Sequence, residues 1–235
     1  CNNAIKFCVG KHYDGVIALG GGSVMDLAKV VMGFLSTGET NIVALLEFKG
    51  AYERSIPSIF LPTTHGTGSE VTMWGTLWNM EEEKKYSISH PSLYPSVAIL
   101  DGNLTLSLPL DISISTVMDA LSHSFESIWN KKANHTSTDF AISAICSILE
   151  NGPALKENPD DLDTRNNLLK AATVAGLAFS NTTTAAAHSM SYPLTIHYGM
   201  PHGVASSISL IPLLEINGKL IKEPLDRICN NNELT

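Results

Sequence analysis

Apolar and polar residues follow two different patterns along this chain, and the change between them falls near Pro109. Before it, short apolar runs separated by turns predict β-strands at 16–19, 59–61, 71–78 and 97–100. Beyond it, strand patterns stop, and helical spacing predicts helices at 111–132, 136–150, 162–180 and 203–216. The pattern therefore predicts an α/β domain over residues 1–109, followed by an all-helical domain over residues 110–235.

Glycine and proline predict where the helices of the second domain end. Gly152-Pro153 predicts one turn, and the segment 158–161, Asn-Pro-Asp-Asp, predicts another. At the beginning, CNNAIKFCVGKHYDG predicts the tail of a helix that leads into the strand at 16–19.

A strand, a glycine turn and a helix follow one another in GVIALGGGSVMDLAKVVMGFL. The helical pattern starts after Gly20–Gly22, and Ser23 followed three residues later by Asp26 predicts a capping-box-like start. The N–H groups and dipole at such a helix start bind phosphate. A tight turn without a ligand is the alternative, because neither the spaced GxGxxG pattern nor a P-loop ending is present.

A second glycine-rich stretch, SIFLPTTHGTGSEVT, follows another apolar run. Thr63, Thr64, Thr67 and Ser69 offer hydroxyl groups there. Such a loop, placed beyond the carboxyl end of a parallel strand, suits a ribose and a pyrophosphate. On its own the segment is equally consistent with an ordinary polar loop.

Two further stretches offer one carboxylate and three imidazoles at spacings that suit a metal ion. Asp119 and His123 in TVMDALSHSFES lie at i and i+4, on one face of a helix. His188 and His202 in AAAHSMSYPLTIHYGMPHG are separated by prolines and glycines, so one straight helix does not hold both. This donor set suits Zn(II), Fe(II), Ni(II) or Co(II). Hydrogen-bonded structural histidines are the alternative, since spacing alone does not bring the two stretches together.

Four blocks, in this order, resemble the iron-containing (group III) alcohol dehydrogenase family. They are GGGSVMDLAK at 20–29, LPTTHGTGSEVT at 61–72, DALSH at 119–123 and H…PHG ending at Gly203. The resemblance implies an α/β Rossmann-like dinucleotide-binding domain followed by an all-helical metal-binding domain. It also implies a cytoplasmic NAD- or NADP-dependent oxidoreductase that interconverts small alcohols and aldehydes or ketones in the cleft between the domains. We also expect a homodimer.

The resemblance assigns roles to individual residues. The metal, Fe(2+) or Zn(2+), would be held by Asp119, His123, His188 and His202. The dinucleotide would lie on Gly20, Gly21, Gly22, Ser23, Asp26, Thr63, Thr64 and Lys85. Compared with the family, the chain lacks its first βαβ portion and its last helices, and that missing first portion would carry the residue that chooses NAD or NADP. We therefore interpret the chain as part of a longer one.

Position 192 departs from the family, whose members often carry a second histidine four residues after the third metal ligand. Tyr192 stands there. Its phenol is a candidate for proton transfer, although a free tyrosine titrates near a pKa of about 10 and is a poor base at neutral pH. A packing role is the alternative.

Tyr192 and the stretches TLWNMEEEKKYSI and ESIWN resemble one branch of the family more closely, the phosphonoacetaldehyde reductases (hydroxyethylphosphonate dehydrogenases). Lys131 and Lys132 are the basic residues nearest to a predicted ligand along the sequence. A lyase resembling dehydroquinate synthase is one rival, although few basic residues surround the predicted ligands. A non-catalytic relative is another, although all four ligands are present.

Composition argues against two other classes of protein, those that bind nucleic acid and those that span a membrane. A net charge of −8 argues against a nucleic-acid partner, and no apolar run reaches membrane-spanning length. Four cysteines without CxxC spacing are typical of reduced thiols in a cytosol: Cys1, Cys8, Cys146 and Cys229.

Overall fold

The computed structural model describes residues 1–48, 50, 52, 54–79 and 81–232. Contacts between Cα atoms divide the chain into two compact units. The first comprises Cys1–Pro62 and Ser69–Ile99, and the second comprises Thr63–Gly68 and Leu100–Thr235. The predicted fold class is confirmed, with an α/β part followed by a helical part. The domain boundary at Pro109 stays a prediction for the whole protein.

A parallel sheet forms the centre of the first unit. Its strands are β1 (Val16–Gly20), β2 (Ser58–Pro62) and β5 (Val97–Ala98), in the order β1-β2-β5. Ala18 pairs with Phe60, and both side chains are buried in the core. β5 is shorter than predicted. Ile99 N still donates to Phe60 O, but Asp101 then caps a 3₁₀ turn that redirects the chain.

Among the residues that the structure describes, three helices and a hairpin complete the first unit. The helices are α1 (Asn2–Cys8), α2 (Gly22–Thr37) and α3 (Ile42–Leu46). The hairpin pairs β3 (Trp74–Asn79) with β4 (Lys84–Ser89). The strand predicted at 71–78 begins late because Ser69–Val71 forms a 3₁₀ turn. β4 was not predicted, since the largely polar stretch EEEKKYSIS carries a weak apolar signal.

The predicted capping box at Ser23 and Asp26 is wrong. α2 begins two residues earlier than this prediction, with Gly21 rather than Ser23 as its N-cap and without a side-chain cap. Ser23 is exposed in the first helical turn. Asp26 accepts hydrogen bonds from Ser69 and from the Thr76 backbone instead. These tertiary partners outweigh the local capping contact that the spacing suggested.

The second unit is helical. Its helices are α4 (Leu110–Trp129), α5 (His135–Glu157), α6 (Leu162–Thr182), α7 (Ala186–Tyr198), α8 (His202–Ser207), α9 (Leu210–Asn217) and α10 (Lys222–Asn231). α4, α5 and α6 share a core of apolar side chains that includes Leu121, Ile145, Leu168 and Ala175. The first three predicted helices of this unit are thereby confirmed, with shifted ends.

Two expectations for this unit were wrong, and two of its helices were not predicted. Gly152-Pro153 is not a turn, because α5 runs through Pro153 to Glu157 and buries Leu155 in its last turn. The helix predicted at 203–216 is two helices, α8 and α9. α7 and α10 were not predicted. Pro193 lies inside α7 and weakens the helical signal of its sequence. The C-cap of α7 is Gly199, which has a left-handed φ of 65°.

In the part of the chain that the structure describes, no single helix is long and apolar enough to cross a bilayer. One bent pair, His202–Asn217 with Lys222–Asn231, meets this requirement only when both arms are joined across a bend of 119°.

Candidate metal and dinucleotide sites

One face of α4 carries three buried ionisable side chains. Asp119, His123 and Glu126 lie at i, i+4 and i+7, so successive helical turns place them above one another. Their exposed fractions are 4%, 5% and 0%. Burial of this much ionisable surface is costly unless the groups pair with one another or with a cation, which makes this face a candidate functional site.

α7 and α8 bring two more histidines to Asp119. Asp119 Oδ1 lies 3.4 Å from His188 Nε2 and 3.8 Å from His202 Nε2. One ligand atom from each of these three residues lies within 4.8 Å of the other two. As expected, the two histidines lie on different helices, His188 in the first turn of α7 and His202 at the start of α8.

This donor set fits a divalent transition-metal ion. Two imidazole nitrogens and one carboxylate oxygen are ligands that Zn(II) and Fe(II) accept. His188 Nε2 is buried and has no hydrogen bond of normal length, because its 3.4 Å separation from Asp119 exceeds the usual 2.7–3.2 Å. Two ligand atoms bound to one tetrahedral ion at about 2.1 Å lie roughly 3.4 Å apart, so this separation fits a metal ion that both atoms share.

The fourth predicted ligand, His123, lies beside this group without belonging to it. Its ring stacks on the ring of His188, with centroids 4.4 Å apart, and on Phe179, with centroids 4.1 Å apart. Its Nδ1 is buried and has no hydrogen-bond partner. Burial lowers the pKa of His123 to about 4 despite the nearby Asp119. The imidazole is therefore neutral, as a metal ligand must be.

The charges of the group favour a cation. Burial works to lower the pKa of His188, but the close contacts of its ring with the Asp119 and Glu126 carboxylates outweigh it and raise that pKa to about 9. Burial works to raise the pKa of Asp119, but His123 and the other two histidines hold it well below its usual value. Burial likewise works to raise the pKa of Glu126, but its hydrogen bond to His188 outweighs this and lowers that pKa. Both carboxylates thus favour positive charge beside them, from a protonated histidine or from a metal ion.

Glu126 was not among the predicted site residues. Its Oε2 lies 2.5 Å from His188 Nδ1, and its Oε1 accepts a hydrogen bond from the His188 backbone N at 3.2 Å. The sequence carries a signal for it, since a glutamate three residues after His123 continues the helical face that Asp119 begins. The contact itself joins residues 62 positions apart, which no local pattern encodes.

The glycine turn connects β1 to α2. Gly20 has a φ of 156°, and a Cβ there would lie 2.7 Å from Val24 Cγ2, so this position requires glycine. Gly21 is the N-cap of α2, and Gly22 and Ser23 form its first turn. The first N–H groups of a helix have no acceptor within it. The four predicted residues thus lie together at a helix start suited to an anion.

Asp26 and Lys85 also lie in the first unit. Both carboxylate oxygens of Asp26 accept hydrogen bonds, from Ser69 Oγ at 2.7 Å and from Thr76 N at 2.8 Å. Burial raises the pKa of Asp26, and Lys85 is among the cations that act against this rise. Lys85 Nζ lies 6.0 Å from the centroid of the Trp78 ring. Asp26 therefore supports the fold around α2, and its contact with a dinucleotide stays a prediction.

Thr63 and Thr64 lie in the loop 63–68, which belongs to the second unit. The loop packs closely on α4, since a Cβ on Gly66 would lie 2.6 Å from Thr116 O. His65 N donates to Thr116 Oγ1 at 3.3 Å. Both threonines are partly exposed, but the Oγ1 atom of Thr64 is buried without a hydrogen-bond partner. The loop is thus held in a defined conformation with one unpaired hydroxyl group.

Tyr192 follows His188 by one turn of α7 and is partly exposed. This spacing places both side chains on the same face of the helix. Lys131 and Lys132 follow the end of α4, and both are exposed to solvent. Solvent weakens the attraction of exposed charges for an anion.

Two family models match the chain. Residues 113–234 match the model described as Fe-containing alcohol dehydrogenase family, C-terminal, and residues 1–102 match iron-containing alcohol dehydrogenase. A probable alcohol dehydrogenase of Escherichia coli strain K12, EutG, is 35% identical over 215 residues, which cover 92% of this chain and 54% of that protein.

Solved structures agree with these matches. A sulfoacetaldehyde reductase from Bifidobacterium kashiwanohense, crystallised in complex with NAD+, is 35% identical with a TM-score of 0.86, over 92% of this chain and 57% of that one. An iron-containing alcohol dehydrogenase from Thermotoga maritima is 32% identical with a TM-score of 0.86, over 98% of this chain and 62% of that one. The chain thus spans little more than half the length of these relatives.

Proposed function

Because this chain belongs to the iron-containing alcohol dehydrogenase family, we propose that the whole protein is a metal-dependent, NAD-linked oxidoreductase that interconverts small alcohols and aldehydes. Family membership confirms the resemblance predicted from the four sequence blocks. The observation that carries the proposal is the group formed by Asp119, His188 and His202, whose ligand atoms lie within 4.8 Å of one another.

We assign the metal to these three residues together with His123. His123 is neutral and stacks on His188, so its nitrogens are close to the other donors along the same helix face. When bound, the metal supplies a Lewis acid for the oxygen of the alcohol or aldehyde. Fe(2+) is the ion that the family name indicates. Zn(2+) remains the alternative, because nitrogen and oxygen donors bind it more tightly than Fe(2+).

We assign the dinucleotide to the glycine turn and the threonine loop. Gly20, Gly21, Gly22 and Ser23 offer a helix start for its phosphates, and Thr63, Thr64, Asp26 and Lys85 complete the proposed set. When bound, the dinucleotide carries the hydride that the reaction transfers. The relative from Bifidobacterium was crystallised with NAD+, which supports NAD over NADP.

Tyr192 is our candidate for moving a proton to or from the substrate oxygen. It lies one helical turn from His188, on the same face of α7. Its hydroxyl group both donates and accepts, so it is able to pass a proton between the substrate and solvent without changing its own net charge.

Relatives named as alcohol dehydrogenases support this function over the lyase alternative and over a non-catalytic relative. The relative named sulfoacetaldehyde reductase supports a small aldehyde with an anionic group as the finer substrate class. Phosphonoacetaldehyde is such an aldehyde and agrees with the branch predicted from the sequence. A homodimer and a cytoplasmic location stay predictions.

An assay of metal content combined with NADH-linked reduction of small aldehydes tests the function. We expect one Fe or Zn per chain and loss of NADH absorbance in step with alcohol formation. Removal of the metal with a chelator should abolish turnover, and returning Fe(2+) should restore it. A lyase would consume its substrate with no net change in NADH, and a non-catalytic relative would leave both unchanged.

A further inference from the structure

α7 begins without a capping residue of its own. Its N-cap is Ala185, which has no side-chain acceptor, and the next two residues are also alanines. The first N–H groups of a helix need acceptors, which Ser, Thr, Asp or Asn at the N-cap normally provides. Here a glutamate on another helix provides one, because Glu126 Oε1 accepts from the backbone N of His188 at 3.2 Å.

The second oxygen of the same carboxylate contacts the side chain of the same histidine. Glu126 Oε2 lies 2.5 Å from His188 Nδ1. An ionised carboxylate only accepts hydrogen bonds, so Nδ1 must carry the hydrogen in this contact. In the form of His188 that binds a metal, the lone pair then lies on Nε2, which is the nitrogen 3.4 Å from Asp119 Oδ1.

We propose that Glu126 is a positioning residue for the metal, because its carboxylate selects the His188 tautomer that coordinates through Nε2 and fixes the start of α7 in the same contact. The inference rests on the metal site of the proposed function. Glu126 and His188 are 0% and 3% exposed, so water does not compete for the contact. Loss of such a partner typically weakens metal binding about 10- to 100-fold.

A purely structural role for Glu126 makes a different prediction. If Glu126 only caps α7, its replacement lowers stability and leaves the metal affinity of the folded protein unchanged. Glu126→Gln separates the two roles. The glutamine has one oxygen, so it accepts either from the backbone N or from Nδ1. When it accepts from the backbone, its NH2 group faces Nδ1 and favours a hydrogen on Nε2, which is the tautomer that does not coordinate there.

The test uses the whole protein, stripped of metal and titrated with Co(II). The dissociation constant is measured by competition with a chelator, and the visible absorption of bound Co(II) reports the ligand geometry. We expect Glu126→Gln to bind Co(II) about 10- to 100-fold more weakly, with a changed spectrum. Glu150→Gln, at an exposed position of α5, should behave as the wild type. A wild-type constant and spectrum for Glu126→Gln would overturn the inference.

A double variant keeps the test decisive if Glu126→Gln loses stability. Ala185→Ser in the Glu126→Gln background returns a local cap to α7 without restoring the contact to Nδ1. We expect recovered thermal stability with metal affinity still weak, whereas recovery of both would mean that Glu126 acts only as a cap.

Asp119→Ala distinguishes the inference from the proposed function on which it rests. If the wild type binds Co(II), Asp119→Ala loses it and Glu126→Gln retains full affinity, only the role of Glu126 fails. If the wild type binds no Co(II), the proposed metal site fails and the inference fails with it.

Discussion

Lys29 Nζ donates a hydrogen bond to Ser69 Oγ at 2.8 Å, and Ser69 Oγ in turn donates to Asp26 Oδ1 at 2.7 Å. Lys29 also donates to Thr72 Oγ1 and to Trp74 O, at 2.9 Å and 2.7 Å. A fully buried lysine thus ties the middle of α2 to the 3₁₀ turn and to the start of β3. Lys29 was not predicted as an important residue, although it lies within the block GGGSVMDLAK.

The first prediction concerns the pH dependence of stability. Burial lowers the pKa of Lys29 to about 8, and Asp26 and Glu70 oppose this only in part. Between pH 8 and its ordinary pKa of 10.5, the unfolded chain binds a proton that the folded protein does not. The free energy of unfolding should therefore rise with pH across this window, by on the order of 3 kcal/mol from this group.

Urea unfolding of the wild type and Lys29→Met at several pH values between 7.5 and 10.5 measures this contribution. We expect Lys29→Met to have lower stability, because it leaves buried acceptors unpaired, and a flatter dependence on pH. Lys6→Met, at an exposed position of α1, should keep the wild-type slope. Equal slopes for Lys29→Met and the wild type would show that Lys29 titrates at its ordinary pKa.

The second prediction orders the metal ligands. His188→Ala and His202→Ala each remove one member of the three-residue group, so each should abolish metal binding at micromolar metal and reduce turnover to background. Metal content by atomic emission and turnover with NADH measure both effects. His135→Ala, at the start of α5, should leave both unchanged. Full metal content in either ligand variant would contradict the assignment.

Of the four proposed metal ligands, His123 should contribute least to metal affinity. Its ring stacks between His188 and Phe179, outside the group of converging ligand atoms. We therefore expect His123→Ala to weaken metal binding less than His202→Ala does, when both are measured by competition with one chelator. An equal or greater loss in His123→Ala would mean that His123 coordinates as fully as the other three.

The sequence predicted α4 well and failed to predict α7, and the difference has a physical cause. α4 carries an unbroken apolar period between Pro109 and Asn130, so its local pattern specifies the helix. α7 has alanines at its start and Pro193 inside it, and Glu126 caps it from another helix. Rules that use only the local sequence do not predict a helix that depends on such a distant contact.

In the candidate site, too, local spacing predicted some features, and others depend on how the helices pack. Asp119 and His123 share one helix, so their spacing alone predicted that they lie on one face. The approach of His188 and His202 to Asp119 depends on how α7 and α8 pack on α4, which spacing does not encode. The roles of Lys29 and Glu126 were missed because both act through hydrogen bonds to residues at least 40 positions away.

The third prediction concerns the dinucleotide. Gly21→Val places a branched side chain at the N-cap of α2, where the proposed phosphate site lies. The dissociation constant for NADH, measured by fluorescence titration of the whole protein, should rise at least tenfold while metal content stays the same. Lys6→Met is the control again, and it should keep the wild-type affinity for NADH. Unchanged NADH affinity would mean that the glycine turn is structural only.

The fourth prediction concerns the substrate. Phosphonoacetaldehyde and sulfoacetaldehyde carry an anionic group on the carbon next to the aldehyde, and propanal of similar size does not. A charge-assisted hydrogen bond to that group contributes roughly 1.5–3 kcal/mol, or about ten- to hundred-fold in kcat/KM. We expect that advantage for phosphonoacetaldehyde over propanal, measured through NADH oxidation.

Salt and two lysine variants locate the cation behind that preference. Lys131 and Lys132 are both exposed, so an advantage that came from them would fall as salt rises and would shrink in Lys131→Met and Lys132→Met. An advantage that withstands both changes would place the cation in a buried part of the whole protein instead. Equal kcat/KM for phosphonoacetaldehyde and propanal would contradict the branch assignment and leave a general alcohol dehydrogenase.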